Sequence, residues 1–317
     1  MEKLDLKDRK ILYELDRNSR QSFRSIGRKV GLSKDVVTSR VKKLQENGII
    51  KRFYAYYDIL QLNLNLLRFY FKFQYTTPII KKEIIDHFMN DHYVNILFSC
   101  EGSYDLGVLM MVKSISEVYP LWKKTLIKYG DYFSKNVFSV YMGESSYGHP
   151  FLLDEKEKHD TTPLCKNWGK AKIDNFDLEI LKLLVSDSRL PTLEIAKKLK
   201  SNVTTIHSRI KRLLDLKVIL NFSVEIDLDK IGYHGWKVDF YLSEYTKLNQ
   251  IVKYMEKNPY LKSVDYTIGY ADLELELIVR NINQLHEIIE DLQLKFPKVI
   301  RNYDYFRVVK QHKWYTL

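Results

Sequence analysis

Slid along itself, the chain meets a second copy of its own first sixty residues at an offset of 169 positions, without gaps. Asp5, Asp8, Ile11, Leu12, Leu15, Ser19 and Arg20 return as Asp174, Asp177, Ile180, Leu181, Leu184, Ser188 and Arg189. Ile26, Lys29, Ser39, Arg40, Lys42, Leu44, Ile50 and Asp58 return as Ile195, Lys198, Ser208, Arg209, Lys211, Leu213, Ile219 and Asp227. Such a register means that one folding unit is written twice. Between the copies, DEKEKHDTTPLCKNWGKAK has Pro163 and Gly169 but no apolar period, which predicts a linker.

Each copy predicts three helices and a strand. In GLSKDVVTSRVKKLQENGII, Val37, Val41 and Leu44 share one helical face, and Asp35, Ser39, Lys42, Lys43 and Glu46 fall opposite. Ser33 suits the N-cap, because its hydroxyl can accept from an orphan amide, and Gly48 after Asn47 suits the stop. Helices are expected near 6–16 and 22–30. The turn at Gly31, with Leu32 plugging the core, joins the second of these to a basic third helix, a helix-turn-helix arrangement. A flanking strand is expected over 49–57.

After each copy the apolar period shortens to two. LLRFYFKFQY, a helix near 78–90, YVNILFSCEG, YDLGVLMMVK, a helix near 116–129 and a strand near 133–142 spell β-α-β-β-α-β. GWKVDFYLSEY, a helix near 247–257, LKSVDYTIG, DLELELIVR, a helix near 282–296 and VIRNYDYFRVV repeat it. If Phe69, Phe71 and Phe73, and likewise Trp236, Val238 and Phe240, face the helices, the bare faces carry Arg68, Tyr70 and Lys72 in one sheet. In the other they carry Asp239, Tyr241, Glu274 and Glu276. Opposite charges predict that the first sheet pairs with the second, face to face, making one chain an internal pseudo-dimer; further homo-oligomers stay open.

With 317 residues, 45% of them hydrophobic, the chain has material for several cores, and a formal net charge of +11 favours a polyanionic partner. Two cysteines, Cys100 and Cys165, make no disulfide framework. There is no apolar run of membrane-spanning length and no signal-peptide pattern at the start, so no membrane partner and a cytoplasmic location are expected. The eight histidines are scattered, His87 and His92 are poorly spaced for one metal, and neither CxxC, HExxH nor a Gly-rich phosphate loop occurs. No metal, cofactor or catalytic residue is expected.

The ordered set Leu4-Asp5-x-x-Asp8-x-x-Ile11-Leu12, Ser19-Arg20, Gly31-Leu32-Ser33, Arg40-Val41-Lys42-Lys43-Leu44, Asn47-Gly48-Ile49-Ile50 and the Gly-x-Tyr-Asp hairpin at 102–105 resembles the leucine-responsive regulator/AsnC (Lrp/AsnC) transcription factors. The resemblance covers nearly the whole chain and departs from the family in being a tandem fusion. It implies an α+β fold, with two winged helix-turn-helix domains alternating with two ferredoxin-like βαββαβ effector-type domains. The expected bounds are 1–60 and 61–153 for the first pair, 154–170 for the linker, and 171–230 and 231–317 for the diverged second pair. It also implies a DNA-binding regulator, with an amino acid or other small-molecule effector bound between effector domains near the hairpins.

Base-edge contacts in the first head are expected from Lys34, Asp35, Thr38 and Ser39, and phosphate contacts from Arg24, Lys42, Lys43, Lys51 and Arg52. Arg40 reads equally as a DNA contact or a structural ion pair. In the second copy Gly31-Leu32-Ser33 has become Lys200-Ser201-Asn202, Gly48 is Lys217, and Gln45 and Asn47 are Leu214 and Leu216. Residues 1–60 hold fifteen Lys or Arg against eight Asp or Glu, net +7, while 171–230 hold eleven against nine, net +2. The second head should bind more weakly, through Thr204, Thr205, His207, Ser208, Arg209, Lys211 and Arg212. Effector candidates are Gly102, Tyr104, Asp105, Gly269 and Asp272, although Gly and Asp also serve plain hairpin turns. One alternative is a sirohaem decarboxylase-like tetrapyrrole enzyme of the same architecture. Its Arg-x-His motif should follow the third helix, where KRFYAYYDILQL and LNFSVEIDLDKIGY hold no histidine and His234 lies beyond. A DNA-organising protein is the other alternative.

Overall fold

A computed structural model describes residues 4–153, 162–163 and 171–314; most of the expected linker, with Cys165, lies outside the described residues. The first half runs α1 (Leu6–Arg17), α2 (Phe23–Val30), α3 (Lys34–Glu46), β1 (Ile50–Tyr57), β2 (Asn65–Phe73), α4 (Pro78–Met89), β3 (Val94–Gly102), β4 (Leu106–Val112), α5 (Tyr119–Tyr129) and β5 (Phe133–Ser146). A two-residue strand β6 (Thr162–Pro163) precedes α6 (Asn175–Ser186), α7 (Thr192–Lys198), α8 (Val203–Asp215), β7 (Ile219–Ile226) and β8 (His234–Leu242). The chain continues through α9 (Leu248–Met255), β9 (Leu261–Ile268), β10 (Leu273–Val279), α10 (Ile282–Lys295) and β11 (Ile300–Lys313).

The two heads exchange strands. β1 pairs antiparallel with β7, and Tyr54 stands opposite Ser223, its own equivalent at the 169-residue offset, so a pseudo-twofold axis passes through that pair. Ala55 and Tyr57 of β1 are buried with Ile180, Leu181 and Ile206 of the second head, while Val224 and Ile226 of β7 are buried with Ile11, Leu12 and Val37 of the first. Neither head completes its core alone.

The βαββαβ halves close on each other. Strand order is β2-β4-β3-β11-β8-β10-β9-β5, with β5 returning to β2, which is a closed barrel of eight strands, and β6 pairs outside β5. Closure removes the sheet edges that would otherwise present unpaired amides. Leu67, Phe69 and Phe71 pack outward against Ile84 and Phe88 of α4 and Leu121 of α5; Val238 and Phe240 pack against Ile251 of α9 and Leu285 of α10. The intervening residues therefore point into the barrel.

Three expectations need correcting in extent. β5 and β11 run four residues past the strands read from pattern, because their ends pair across the halves: Ser146 meets Ser263 and Lys313 meets Leu97. Tyr119, followed by Pro120, starts α5 after a capped 3-10 turn over Ile115–Val118. Lys72 does not face the second sheet; its ammonium reaches the Gly102 carbonyl at 2.9 Å and Asp105 at 3.3 Å within its own half.

Candidate nucleic-acid interface

In the first head the turn geometry follows from three small residues. Ser22 accepts from the Ser25 amide at 3.1 Å, Gly31 adopts φ +68°, and Ser33 accepts from the Val36 amide at 3.3 Å. Gly27 was not singled out in the sequence, yet a Cβ there would lie 2.5 Å from the Leu32 carbonyl oxygen, which itself belongs to the close-packed turn. α3 then buries Val37, Val41 and Leu44 and exposes Lys34, Asp35, Thr38, Ser39, Lys42 and Lys43, with Arg24 of α2 also exposed.

The cations of this head differ in what already holds them. Arg40 is bound to Asp5 at 2.7 Å and Asp8 at 2.8 Å, tying α3 to the start of α1. Arg52 contacts Glu225 at 2.6 Å and lies over the Tyr54 and Trp314 rings, and Lys51 faces Asp227 at 3.3 Å. The Thr38 hydroxyl donates back to the Lys34 carbonyl at 2.8 Å. Lys42 sits 3.6 Å from Glu46 on an exposed surface, a pairing worth little in water.

The second head keeps the same backbone with different residues. Lys200 and Lys217 hold the left-handed positions at φ +50° and +58°, and Asn202 caps α8 by accepting from Thr205 at 2.7 Å. Arg209 binds Asp174 at 2.6 Å and Asp177 at 3.1 Å, and Arg212 binds Asp177 at 2.5 Å, a carboxylate with no exposed side-chain surface. Thr204, His207, Ser208 and Lys211 are exposed, and Thr205 is half-buried.

The heads are locked to each other by the repeated Ser-Arg pair. Ser19 Oγ lies 2.6 Å from Ser188 Oγ, both fully buried. Arg20 donates to the Ser188 carbonyl at 2.5 Å and the Leu190 carbonyl at 3.1 Å; Arg189 returns the contact to the Ser19 and Gln21 carbonyls. The signal was in the sequence, as identical dipeptides 169 apart, but their meeting across a dyad was not.

The hairpin residues hold the barrel seams. Gly102 has φ +113°, and a Cβ on it would lie 2.5 Å from the Tyr305 carbonyl oxygen where β3 meets β11; Gly269, φ +99°, lies where β9 meets β5. Asp105 accepts from the Phe73 amide at 2.8 Å and Asp272 from the Leu242 amide at 2.7 Å. Tyr104 is fully buried inside the barrel, its hydroxyl 2.6 Å from that of Tyr270, which donates to Asp239 at 2.9 Å.

The barrel interior carries the charge contact read from the strands. Arg68, only 2% exposed, spans the halves to both Glu274 oxygens at 2.6 Å and to Asp265 at 2.8 Å. Lys237 joins Glu274 at 3.0 Å and also contacts Asp265. Burial raises the Glu274 carboxyl, but Arg68 and then Lys237 outweigh it and hold it down at about 2. Burial, with Glu274 nearby, pushes Asp239 up to about 8.

Exposed polar faces on two helix-turn-helix units, fixed relative to each other through a shared ribbon, define the class: a DNA-binding regulator with paired winged heads. Residues 4–51 match the family "Winged helix-turn-helix DNA-binding", and residues 173–214 match "AsnC-type helix-turn-helix domain". The HTH-type transcriptional regulator Ptr1 of Methanocaldococcus jannaschii is 34% identical over 126 residues, covering 37% of this chain and 84% of that protein. An uncharacterised HTH-type transcriptional regulator of Pyrococcus furiosus is 31% identical over 121 residues, covering 38% of this chain and 82% of its own. The chain belongs to the Lrp/AsnC family of transcriptional regulators. The crystal structure of the siroheme decarboxylase NirDL shares the fold across 98% of this chain and 93% of its own, with a TM-score of 0.65 at 12% identity.

Proposed function

We propose that the chain is a sequence-selective regulator binding double-stranded DNA, with the first head dominant. The carrying observation is the contrast in cation use between the recognition helices. Lys34 and Lys43 stand exposed on α3, with Arg24 beside them on α2, whereas the matching positions of the second head hold Val203, Arg212, which Asp177 binds, and Leu193; Lys42 and Lys211 are exposed in both heads, and Arg40 and Arg209 are paired in both. Base-edge contacts then fall to Lys34, Asp35, Thr38 and Ser39, and phosphate contacts to Arg24, Lys42 and Lys43. Arg40, Lys51 and Arg52 serve first as links within and between the heads. Thr204, His207, Ser208 and Lys211 give the second head its weaker contact. Because the heads differ, a palindromic operator is not required.

The same reading makes one chain the equivalent of a family dimer and places it with DNA in the cytoplasm. The hairpin residues Gly102, Asp105, Gly269 and Asp272 are assigned to holding the seams, and effector control works through contact between the halves. Selection of genomic fragments by the purified full chain, followed by sequencing, tests the reading: a shared motif is expected, and recovery of fragments in proportion to their input would overturn it. The shared fold favours one second reading, a tetrapyrrole enzyme. An iron tetrapyrrole added to the protein should leave its Soret band unchanged, and a shift would favour the enzyme.

A further inference from the structure

Between the β1–β7 ribbon and one end of the barrel lies a chamber of about 560 Å³, reached by Tyr54 and Tyr56 from the ribbon and by Glu144, Lys262 and Glu276 from the barrel. Small-molecule sites commonly enclose roughly 300–1,000 Å³. Tyr54 is the dyad residue of the ribbon, so the chamber touches both heads' shared strands and both halves of the barrel.

Its charged groups fall into local sets. Arg68 and Lys237 are matched by Asp265 and Glu274. Asp16, also on the wall, accepts from the His149 amide at 2.8 Å and the Ser223 hydroxyl at 2.6 Å, with His149 Nδ1 2.9 Å away. Arg17 and Arg52 also line the wall, Arg17 over the Tyr13 ring and Arg52 on Glu225 at 2.6 Å, and Asp58 accepts from the Leu60 amide at 2.9 Å. Glu144, Glu276 and Lys262 form a further group at the barrel end. Glu144 accepts from the Tyr56 hydroxyl at 2.8 Å and Glu276 from the Ser263 hydroxyl at 3.2 Å. Among the described residues neither carboxylate has a cation within 4.0 Å, and the Lys262 ammonium has no hydrogen bond or ion pair. Two carboxylates therefore face one ammonium. Burial, reinforced by Asp265 and Glu276 against the pull of Lys262, pushes the Glu144 carboxyl up to about 7.

We propose that this chamber binds an organic monocation, a protonated amine or amidine on an aromatic or apolar body, with Glu144 and Glu276 taking the charge and Tyr54, Tyr56 and Tyr70 lining the body. A single positive charge balances the group of two carboxylates and one ammonium, and tyrosine faces attract cations through their quadrupoles. A polycarboxylate such as a uroporphyrin would add negative charge beside Glu144 and Glu276. Occupancy does not rest on the DNA-binding reading, since it is measured without DNA.

Isothermal titration of the full chain at pH 7.5 with tryptamine and with indole-3-propionate compares one aromatic body carrying opposite charges. Tryptamine should bind at one site, at least about tenfold more tightly than the acid, and Glu144→Gln with Glu276→Gln should weaken it at least about tenfold. Leu109→Trp, which fills the chamber from its apolar wall, should abolish binding and decides the matter if the double variant does not fold. Equal or tighter binding of the acid, no binding of tryptamine at millimolar concentration, or binding unchanged by Leu109→Trp would overturn the proposal.

Discussion

Replacing Arg68 with Met keeps most of the side chain's stem but removes the guanidinium that joins the two halves inside the barrel. Breaking a buried ion pair by removing one partner costs roughly 3–5 kcal/mol, because a desolvated charge is left behind. Here Lys237 stays 3.0 Å from Glu274, so two acids share one cation instead of two and the low end of that range applies, about 3 kcal/mol. Adding Glu274→Gln leaves Lys237 with Asp265 alone, one charge against one. The double variant should therefore lie within about 1.5 kcal/mol of the parent, with a coupling of about 2 kcal/mol or more in the cycle. Urea unfolding at pH 7, followed by far-UV circular dichroism of the two single variants and the double, gives all the corners. A cost below about 1 kcal/mol for Arg68→Met, or additive losses, would show that the contact does not join the halves as described.

The second head offers a gain in stability. Lys200 and Lys217 occupy left-handed backbone that costs an L-residue about 1–2 kcal/mol, so Lys200→Gly with Lys217→Gly should raise the midpoint of thermal unfolding despite the added chain entropy; a lowered midpoint would contradict the strain. Asp239, held protonated to about pH 8, contributes stability that is complete below the ordinary carboxylate range and is lost as pH rises through 8. Asp239→Asn removes that dependence. Between about pH 4 and 8 the parent should lose up to about 1.4 kcal/mol per pH unit relative to the variant in denaturant titrations; parallel profiles would refute the assignment.

What the sequence made legible was local or repeated. Gly31, Ser33 and Gly48 announced the turn before α3 and both its ends, because caps and left-handed glycines act on their immediate neighbours. Strand alternation placed Arg68 and Glu274 inside, and their opposite charges foretold the contact between them. Closure of the barrel was not legible, since edge pairing of β3 with β11 and β5 with β9 joins segments far apart in sequence and leaves no periodicity of its own. Lys72 shows the limit at single residues: it shares the parity of Arg68 but lies at the strand end, where a flexible ammonium finds the Gly102 carbonyl instead. The partners of Arg40 and Arg209, which draw these residues towards α1 and α6, were likewise visible as conserved spacing between the two copies but not as contacts.

Fluorescence anisotropy with a duplex carrying the motif recovered from genomic selection, beside a scrambled duplex of equal length and composition, tests the central claim most directly. At physiological salt the full chain should prefer the selected duplex by about 10³ or more, with affinity falling steeply as salt rises. Lys42→Glu with Lys43→Glu should abolish that preference and flatten the salt dependence by about one unit of slope per lost phosphate contact. Equal affinity for the two duplexes, or a preference that survives the double replacement, would contradict a regulator that reads DNA through α3.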